Sequence, residues 1–517
     1  MAENESNNQA PEETTVPVNQ VIANRLKKLR QLRHKGINPY PHKFVKTHST
    51  AEAIEQYDAL AENETEIKMA GRIMAIRKMG KALFFHFQDE FGRLQGYMKK
   101  NVVGDEPWEI FDLLDLGDII GMTGKLFTTR TGEKTVQVTA FEILTKSLHP
   151  LPDKWHGLTD KEARYRQRYV DLIVNPDVRE VFKLRSKILS AIREFLTERG
   201  FMEVETPILQ PLYGGGMALP FDTHHEKLDM KLYLRIADEL YLKRLIVGGF
   251  EKVWEFCKDF RNEGMDRKHN PEFSMIELYQ AFADYNDIME LFEELLRFTV
   301  KKVFNDTKVT YEDNVIDFGP PFKRISMIDA IREQGGPDLS DFDFDRAMKL
   351  AKEAGMDSAP LINHGKVVEA FFEQLVEPQL IQPTFITDFP KDVSPLAKAH
   401  RDDPRLAERF EIYIGALECG NAFTELNDPV DQKERFIDQG KVAEAGDAEA
   451  HQLDHDFINA LSYGMPPTGG LGFGIDRLIM LLTNQHSIRD VIFFPQMRPE
   501  DGTTSIDFDS VTDEDEA

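Results

Sequence analysis

Fifteen residues, "DFRNEGMDRKHNPEF" (Asp259–Phe273), hold two arginines, a lysine, a histidine and four acids among few aliphatic side chains. Such a stretch offers neutralisation of a polyanion; the alternative is a solvated hairpin tip, the usual fate of a charge run. It lies between a strand-like "KVWEF" and a helix-like "SMIELYQAFADY". Farther on, glycines alternate at Gly470, Gly472 and Gly474 ahead of Arg477. Bare backbone there permits close approach of a ligand or simply tight packing. In "CGNAFTEL", strand alternation puts Asn421, Phe423 and Glu425 on one face. Glu411 and Glu418 lie seven apart, so one flat strand would point them to opposite faces. Putting them on one face would require a turn or bulge near Gly415 or Gly420.

The elements that must position these residues are readable from texture. From Val21 to Lys35, Ile22, Leu26, Leu29 and Leu32 recur at helical spacing among basic residues, ended by Gly36. From Glu66 to Thr145, short alternating segments predict five strands and a small Greek-key barrel of the oligonucleotide-binding kind. Phe84, Phe85 and Phe87 are candidates for its core, and any exposed one beside Arg72 and Gln95 would form a base-stacking platform. Pro150–Asp160 reads as a linker. Then "VFKLRSKILSAIREFLTERG" predicts a long amphipathic helix stopped by Gly200, followed by a strand "FMEVETPIL" closed by Pro207. "GGLGFGIDRLIMLLTN" predicts a strand entering a helix.

The 517 residues exceed a single core. Hydrophobic content of 41% and charged content of 29% are those of a soluble globular protein. No apolar run is long enough to cross a bilayer, and the opening residues show no signal-peptide pattern. Cys257 and Cys419 cannot build a disulfide framework or a four-ligand zinc site, so a reducing cytoplasm is the expected setting. A net charge of -26 argues against indiscriminate nucleic-acid binding, leaving selective binding through local basic clusters such as Arg77–Lys81. The acidic residues 1–20 and 499–517 are expected to be disordered.

"GFMEVETPIL", "FRNEGMDRKHNPEF" and "GLGFGIDR", in that order behind a predicted barrel, resemble the three motifs of the class II aminoacyl-tRNA synthetases. "RYRQRYVDLI", "LYLRIADELYLKRLIVGGFEKV", "NAFTELNDP" and "YGMPPTGGLG" bring the resemblance closest to the bacterial-type lysyl-tRNA synthetases, over roughly Val21 to Arg498. It implies an α+β protein: residues 21–150 as a helix and five-stranded anticodon-binding barrel, residues 151–498 as a catalytic antiparallel sheet flanked by helices, with an insertion at about 305–400. It also implies a homodimer built on the first motif, with L-lysine, ATP, Mg2+ and tRNA(Lys) bound, and no membrane association.

The implied chemistry joins lysine to the α-phosphate of ATP, releases pyrophosphate, then passes the lysyl group to tRNA. In-line displacement at phosphorus needs positioning and charge neutralisation more than an acid or base. By resemblance, Arg261 would bridge α-phosphate and substrate carboxylate, a task suited to a planar fork. Glu263, His269 and Asn270 would orient the nucleotide, Phe273 and Arg477 would enclose the adenine, and Gly472 and Gly474 would let it lie close. Glu411 and Glu418 match the magnesium carboxylates. Glu425 with Tyr279 would meet the ε-ammonium group, while Gly215, Glu239 and Glu277 would hold the α-amino end, beside Asn421 and Phe423. Arg72, Phe84 and Gln95 match anticodon positions.

Four positions depart from the usual pattern: Gly216 and Leu219 in the glycine loop, Asp238 beside Glu239, and Lys268 where arginine is common. Lysine neutralises phosphate but cannot grip it bidentately, so weaker ATP binding is expected. Two rivals share the scaffold: a lysine-activating relative that modifies a protein, and a non-catalytic tRNA-binding paralogue. The barrel with Gln95 opposes the first; Arg261, Glu411, Glu418 and Arg477 oppose the second.

Overall fold

The computed structural model describes residues 18–152, 158–216, 218–357, 361–444 and 453–499. Of the leader and tail expected to be disordered, 1–20 and 499–517, residues 1–17 and 500–517 lie outside the described residues, as does the 153–157 portion of the linker, whereas residues 18–20 already belong to a helix. The chain divides into two compact units, with one boundary between Leu158 and Thr159 and another between Arg498 and Pro499.

In the first unit, the helix Val18–His34 begins three residues before the expected start. It buries Ile22, Leu26, Leu29 and Leu32, the apolar stripe its spacing foretold. Five strands, β1 (Glu66–Met79), β2 (Ala82–Gln88), β3 (Arg93–Lys99), β4 (Ile119–Thr128) and β5 (Lys134–Thr145), close into a barrel of order β1-β2-β3-β5-β4. Phe85 and Phe87 point inward with Ile67, Met69, Ile120, Met122, Val136 and Val138. Phe84, of opposite parity, faces outward and is only half-buried.

Among its described residues the second unit carries thirteen strands: β6 (Met202–Glu203), β7 (Leu209–Gln210), β8 (Asp222–His225), β9 (Met230–Leu234), β10 (Lys252–Phe260), β11 (Glu272–Ala281), β12 (Lys308–Tyr311), β13 (Asn314–Asp317), β14 (Lys323–Ser326), β15 (Thr384–Pro390), β16 (Leu406–Ile414), β17 (Leu417–Thr424) and β18 (Thr468–Gly474). Eight form one sheet, β14-β15-β16-β17-β18-β11-β10-β6. It is antiparallel through the middle, with parallel pairs at both edges, β14–β15 and β10–β6. The helices Pro176–Glu198 and Tyr285–Phe304 supply Ile188, Ile192, Phe195, Phe292, Leu295 and Leu296 to the core on one face. Ile276, Leu278, Phe410, Ile412, Leu471 and Phe473 meet them from the sheet. Residues of opposite parity on the same strands, Glu277, Tyr279, Glu411, Asn421 and the alternating glycines, are left to the other face.

Three expectations need correction. The helix-like stretch after Phe273 is strand β11: it is buried on both faces, so the period-two signal of a half-exposed strand is lost. "FMEVETPIL" is not one strand but holds only β6 and the start of β7, with Pro207 between them. The segment 305–400 is not wholly an insertion, because it contributes β14 and β15 to the main sheet. Three helices between those strands, Met327–Glu333, Phe344–Glu353 and His364–Leu375, build a core of their own around Ile331, Val367, Phe371 and Phe372.

Candidate active site

Strands β10 and β11 and the loop between them form the opening hairpin, with Asp259 paired to Phe273. The loop is organised by Asp266. Its Oδ1 accepts from the backbone N–H groups of Lys268 (2.6 Å) and His269 (2.8 Å), and its Oδ2 lies 2.8 Å from His269 Nδ1. His269 Nε2 in turn is 3.1 Å from an Arg477 nitrogen. Arg477 also donates to the Glu418 backbone oxygen (2.8 Å) and to Glu418 Oε2 (3.2 Å). Arg261 lies with its guanidinium carbon 5.2 Å from the Phe273 ring centre, and its buried Nε has no hydrogen-bond partner among the described residues. Asn270, buried, donates to the Glu272 carbonyl at 2.6 Å. Arg267 turns away, donating to the His486 carbonyl at 3.2 Å.

The turn required between the two distant glutamates exists. Gly415 and Ala416 have φ of 61° and 56° and join β16 to β17, matching the right-handed twist of a tight hairpin. A register shift between Ile412 and Tyr413 accompanies it. Glu411 accepts from Arg409 at 2.5 Å and from the Tyr413 hydroxyl at 2.6 Å. Burial lifts its carboxyl to about 7, although Arg409 pulls the other way.

Glu425 lines the cavity together with Phe423, Leu396 and Tyr279. Gly470 lies between Glu425 and Tyr279, and a Cβ there would come 2.5 Å from the Tyr279 ring. The Tyr279 hydroxyl donates to Glu277 Oε2 at 3.0 Å rather than to Glu425. Lys243, fully buried, ion-pairs with Glu239 at 2.5 Å and with Glu425. Burial would strip its proton, but the two carboxylates hold its ammonium form. One ammonium bridging both places Glu239 and Glu425 as neighbours.

Gly215, Glu239, Arg261, Glu263, His269, Asn270, Phe273, Glu277, Tyr279, Glu411, Glu418, Asn421, Phe423, Glu425, Gly472, Gly474 and Arg477 all line one cavity of about 450 Å3. Lys268 and Gly216 line it too, whereas Leu219 is exposed and its carbonyl accepts from Asn262 N–H at 2.7 Å. Sequence reasoning missed Lys243 and Arg409. The first stands four residues after Glu239 on the helix Glu239–Val247, the spacing of a helical ion pair. The second stands two before Glu411 and so shares its face. Arg409 also donates to Asn421 Oδ1 at 3.1 Å.

On the barrel, Phe84 stacks on Tyr97 with ring centres 4.6 Å apart, and Tyr97 meets Phe127 at 5.7 Å. Gln95 donates to Glu133 at 2.7 Å and accepts from Thr135 at 2.9 Å. Arg72 is not gathered with them: it pairs across from Gln88 and donates to the Gly117 carbonyl at 2.7 Å. Four residues of strand, roughly 13 Å, separate Gln88 from Phe84. Arg77 is the arginine opposite Phe84. A bulge between Ile73 and Ala75 reverses parity, which puts Arg72 and Arg77 on one face despite their odd spacing.

The family model described as tRNA synthetases class II (D, K and N) matches residues 160–498, and that of an OB-fold nucleic acid binding domain matches residues 67–144. The chain is 55% identical to the lysine–tRNA ligase of Carboxydothermus hydrogenoformans over 94% of its own length and 99% of that protein's. For the lysine–tRNA ligase of Pelotomaculum thermopropionicum the identity is 54%, with coverage of 94% and 96%. For that of Bacillus subtilis it is 53%, with coverage of 93% and 98%. A barrel, a mostly antiparallel sheet and a cavity lined by the second and third motifs have their counterpart in these matches, and the chain belongs to the class II tRNA synthetases.

Proposed function

We propose that this chain is a lysine–tRNA ligase, activating lysine with ATP and charging tRNA(Lys). The observation that carries the choice of amino acid is the buried carboxylate of Glu425 lining the cavity with Phe423, Leu396 and Tyr279. A buried carboxylate beside apolar walls favours a long side chain tipped by a cation, because the single ammonium of Lys243 is shared between Glu239 and Glu425 and a neutral occupant would leave those two acids undercompensated. Glu239 and Glu277 complete the substrate end, with Asn421 and Gly215 beside them. At the other end Arg261, whose buried Nε has no partner among the described residues, grips the α-phosphate and the lysine carboxylate together. The carboxylate oxygen attacks phosphorus, the bond to the pyrophosphate oxygen breaks, and lysyl-adenylate remains. Phe273 and Arg477 enclose the adenine, and Glu263, His269 and Asn270 orient the nucleotide over Gly472 and Gly474. A tRNA hydroxyl then displaces AMP.

Glu411 and Glu418 offer hard oxygens to the same cavity, which fits magnesium; bound there, the ion would neutralise phosphate charge. Arg409 and Tyr413 hold Glu411 in place for that. Residues 21–150 serve as the anticodon reader, through Phe84 and Gln95, and residues 151–498 as the catalytic domain. Arg72 belongs at the margin of that surface. Exposed Met202, Ile208, Leu209 and Leu212 around the first motif support a homodimer, checked by a light-scattering mass of twice the chain. A cytoplasmic setting accords with a described structure in which no helix is long and apolar enough to cross a membrane.

Lysine-dependent ATP–pyrophosphate exchange, followed by charging of tRNA(Lys), tests the reading. Exchange with lysine but not arginine or ornithine is expected; its absence overturns the enzyme assignment, and exchange without charging transfers the chain to a protein-modifying role.

A further inference from the structure

Two of the carboxylates assigned to lysine come from different elements. Glu239 opens the helix Glu239–Val247, and Glu425 follows the end of β17. Lys243, one helical turn after Glu239, is fully buried between them. It ion-pairs with Glu239 Oε1 at 2.5 Å and with Glu425 Oε2. Among the described residues no other cation pairs with either acid, and Lys243 itself does not line the cavity. Its helix is anchored by Leu240, Leu242 and Ile246, which pack with Val253, Tyr279 and Ala281 of the sheet. Glu425 is held from the other side, its backbone N–H donating to the Thr468 carbonyl at 2.8 Å. Lys243 thus engages one oxygen of each carboxylate. The second oxygen of Glu425, Oε1, is buried and has no hydrogen-bond partner among the described residues. It lies above Gly470, where any Cβ would strike it, and Glu425, Gly470 and Tyr279 all line the cavity. A buried carboxylate oxygen without a donor is costly, and an ammonium group in the cavity supplies that donor.

We propose that Lys243 is a positioning residue that fixes the separation of Glu239 and Glu425, so that the chain selects its amino acid by the distance between two ammonium groups. The inference rests on the lysine assignment above and deepens it. Two carboxylates brought together in a buried site repel one another; a single ammonium between them holds both close and turns their second oxygens away from itself. The α-ammonium of lysine then meets Glu239, and its ε-ammonium meets Glu425 Oε1. One internal cation cannot balance two acids, so the site accepts further positive charge, at the spacing that the Lys243 bridge sets. Ornithine, one methylene shorter, reaches one acid and leaves the other with its oxygen unpaired. Selection by length is therefore built into a residue that the substrate never touches.

Calorimetric titration of the full chain with L-lysine and with L-ornithine tests this. The native chain is expected to prefer lysine by roughly 10–200-fold, the usual worth of one methylene. Lys243→Met, similar in length and without the ammonium, should shrink that preference to below about threefold, with lysine losing more than ornithine. Equal losses for the two amino acids overturn the proposal, because removal of a merely structural charge gives that result. Should the variant not fold, the native chain decides with the α,ω-diamines of butane, pentane and hexane, which carry two ammonium groups and nothing else. Their competition against lysine is expected to peak at pentanediamine, whose nitrogens have the spacing of lysine's, by about tenfold over its neighbours. A flat series overturns the proposal. Failure of lysine to bind at all instead removes the ligase reading above.

Discussion

Arg261 and Glu425 mark the two ends of the proposed substrate, and each fails differently when replaced. Arg261→Lys keeps the charge and loses the planar fork; about a 10²–10³-fold fall in the lysine-dependent exchange rate is expected. Glu425→Gln leaves Lys243 one carboxylate short and that end of the cavity without its charge. About 2–5 kcal/mol of lysine recognition is lost, roughly thirtyfold or more in the lysine KM, with the ATP KM little moved. A comparable change in both constants would contradict the separation of the ends. Strand alternation placed Asn421, Phe423 and Glu425 on one face, while the roles of the other site residues followed from the resemblance of the motifs. Lys243 was not readable in the same way: helical spacing ties it to Glu239, but its reach to Glu425 depends on the packing of a helix against a distant strand. The same is true of Asp238 and Cys257, which the sequence separates by nineteen positions.

Elements were legible where their patterns were simple. The barrel strands and the glycine-rich strand β18 announced themselves; β11 did not, because its two buried faces erase alternation. The bulge in β1 has no composition signature, so the face that Arg77 shares with Phe84 is not readable from the sequence, whereas Arg72 enters through the family resemblance. The helix Tyr285–Phe304, by contrast, begins with a reciprocal cap: Asp284 accepts from the Asn286 and Asp287 N–H groups, and Asp287 accepts from Asp284 N–H. Arg401 adds an ion pair to Asp284 at 2.6 Å. Burial alone would raise Asp284, but the Arg401 and backbone hydrogen bonds outweigh it and hold the carboxyl low. Its folded value lies below its unfolded one, so its contribution is complete above about pH 4 and is lost as pH falls through the folded value. Asp284→Ala is expected to cost about 0.5–2 kcal/mol at neutral pH and much less in acid, read from urea midpoints. An equal loss at both pH values would count against the cap.

At the scale of the whole molecule, the two units divide the labour and can be impaired separately. Phe84→Ala removes one ring of the Phe84–Tyr97–Phe127 row and is expected to weaken tRNA binding by about 1–3 kcal/mol, leaving exchange without tRNA intact. With a net charge of -26, attraction to tRNA rests on local basic surface, so the tRNA KM should climb steeply with salt while the lysine KM does not. A barrel variant that slowed exchange would argue against this division. The bare position at Gly470 reaches further than the reaction. A single methyl there would strike both the Tyr279 ring and Glu425. A lineage drifting toward a shorter substrate therefore cannot fill the cavity from below in one step; the ring and the acid must give way first, in a background that still works. Such a site is historically entrenched: its amino-acid identity is guarded by the order in which mutations would have to arrive.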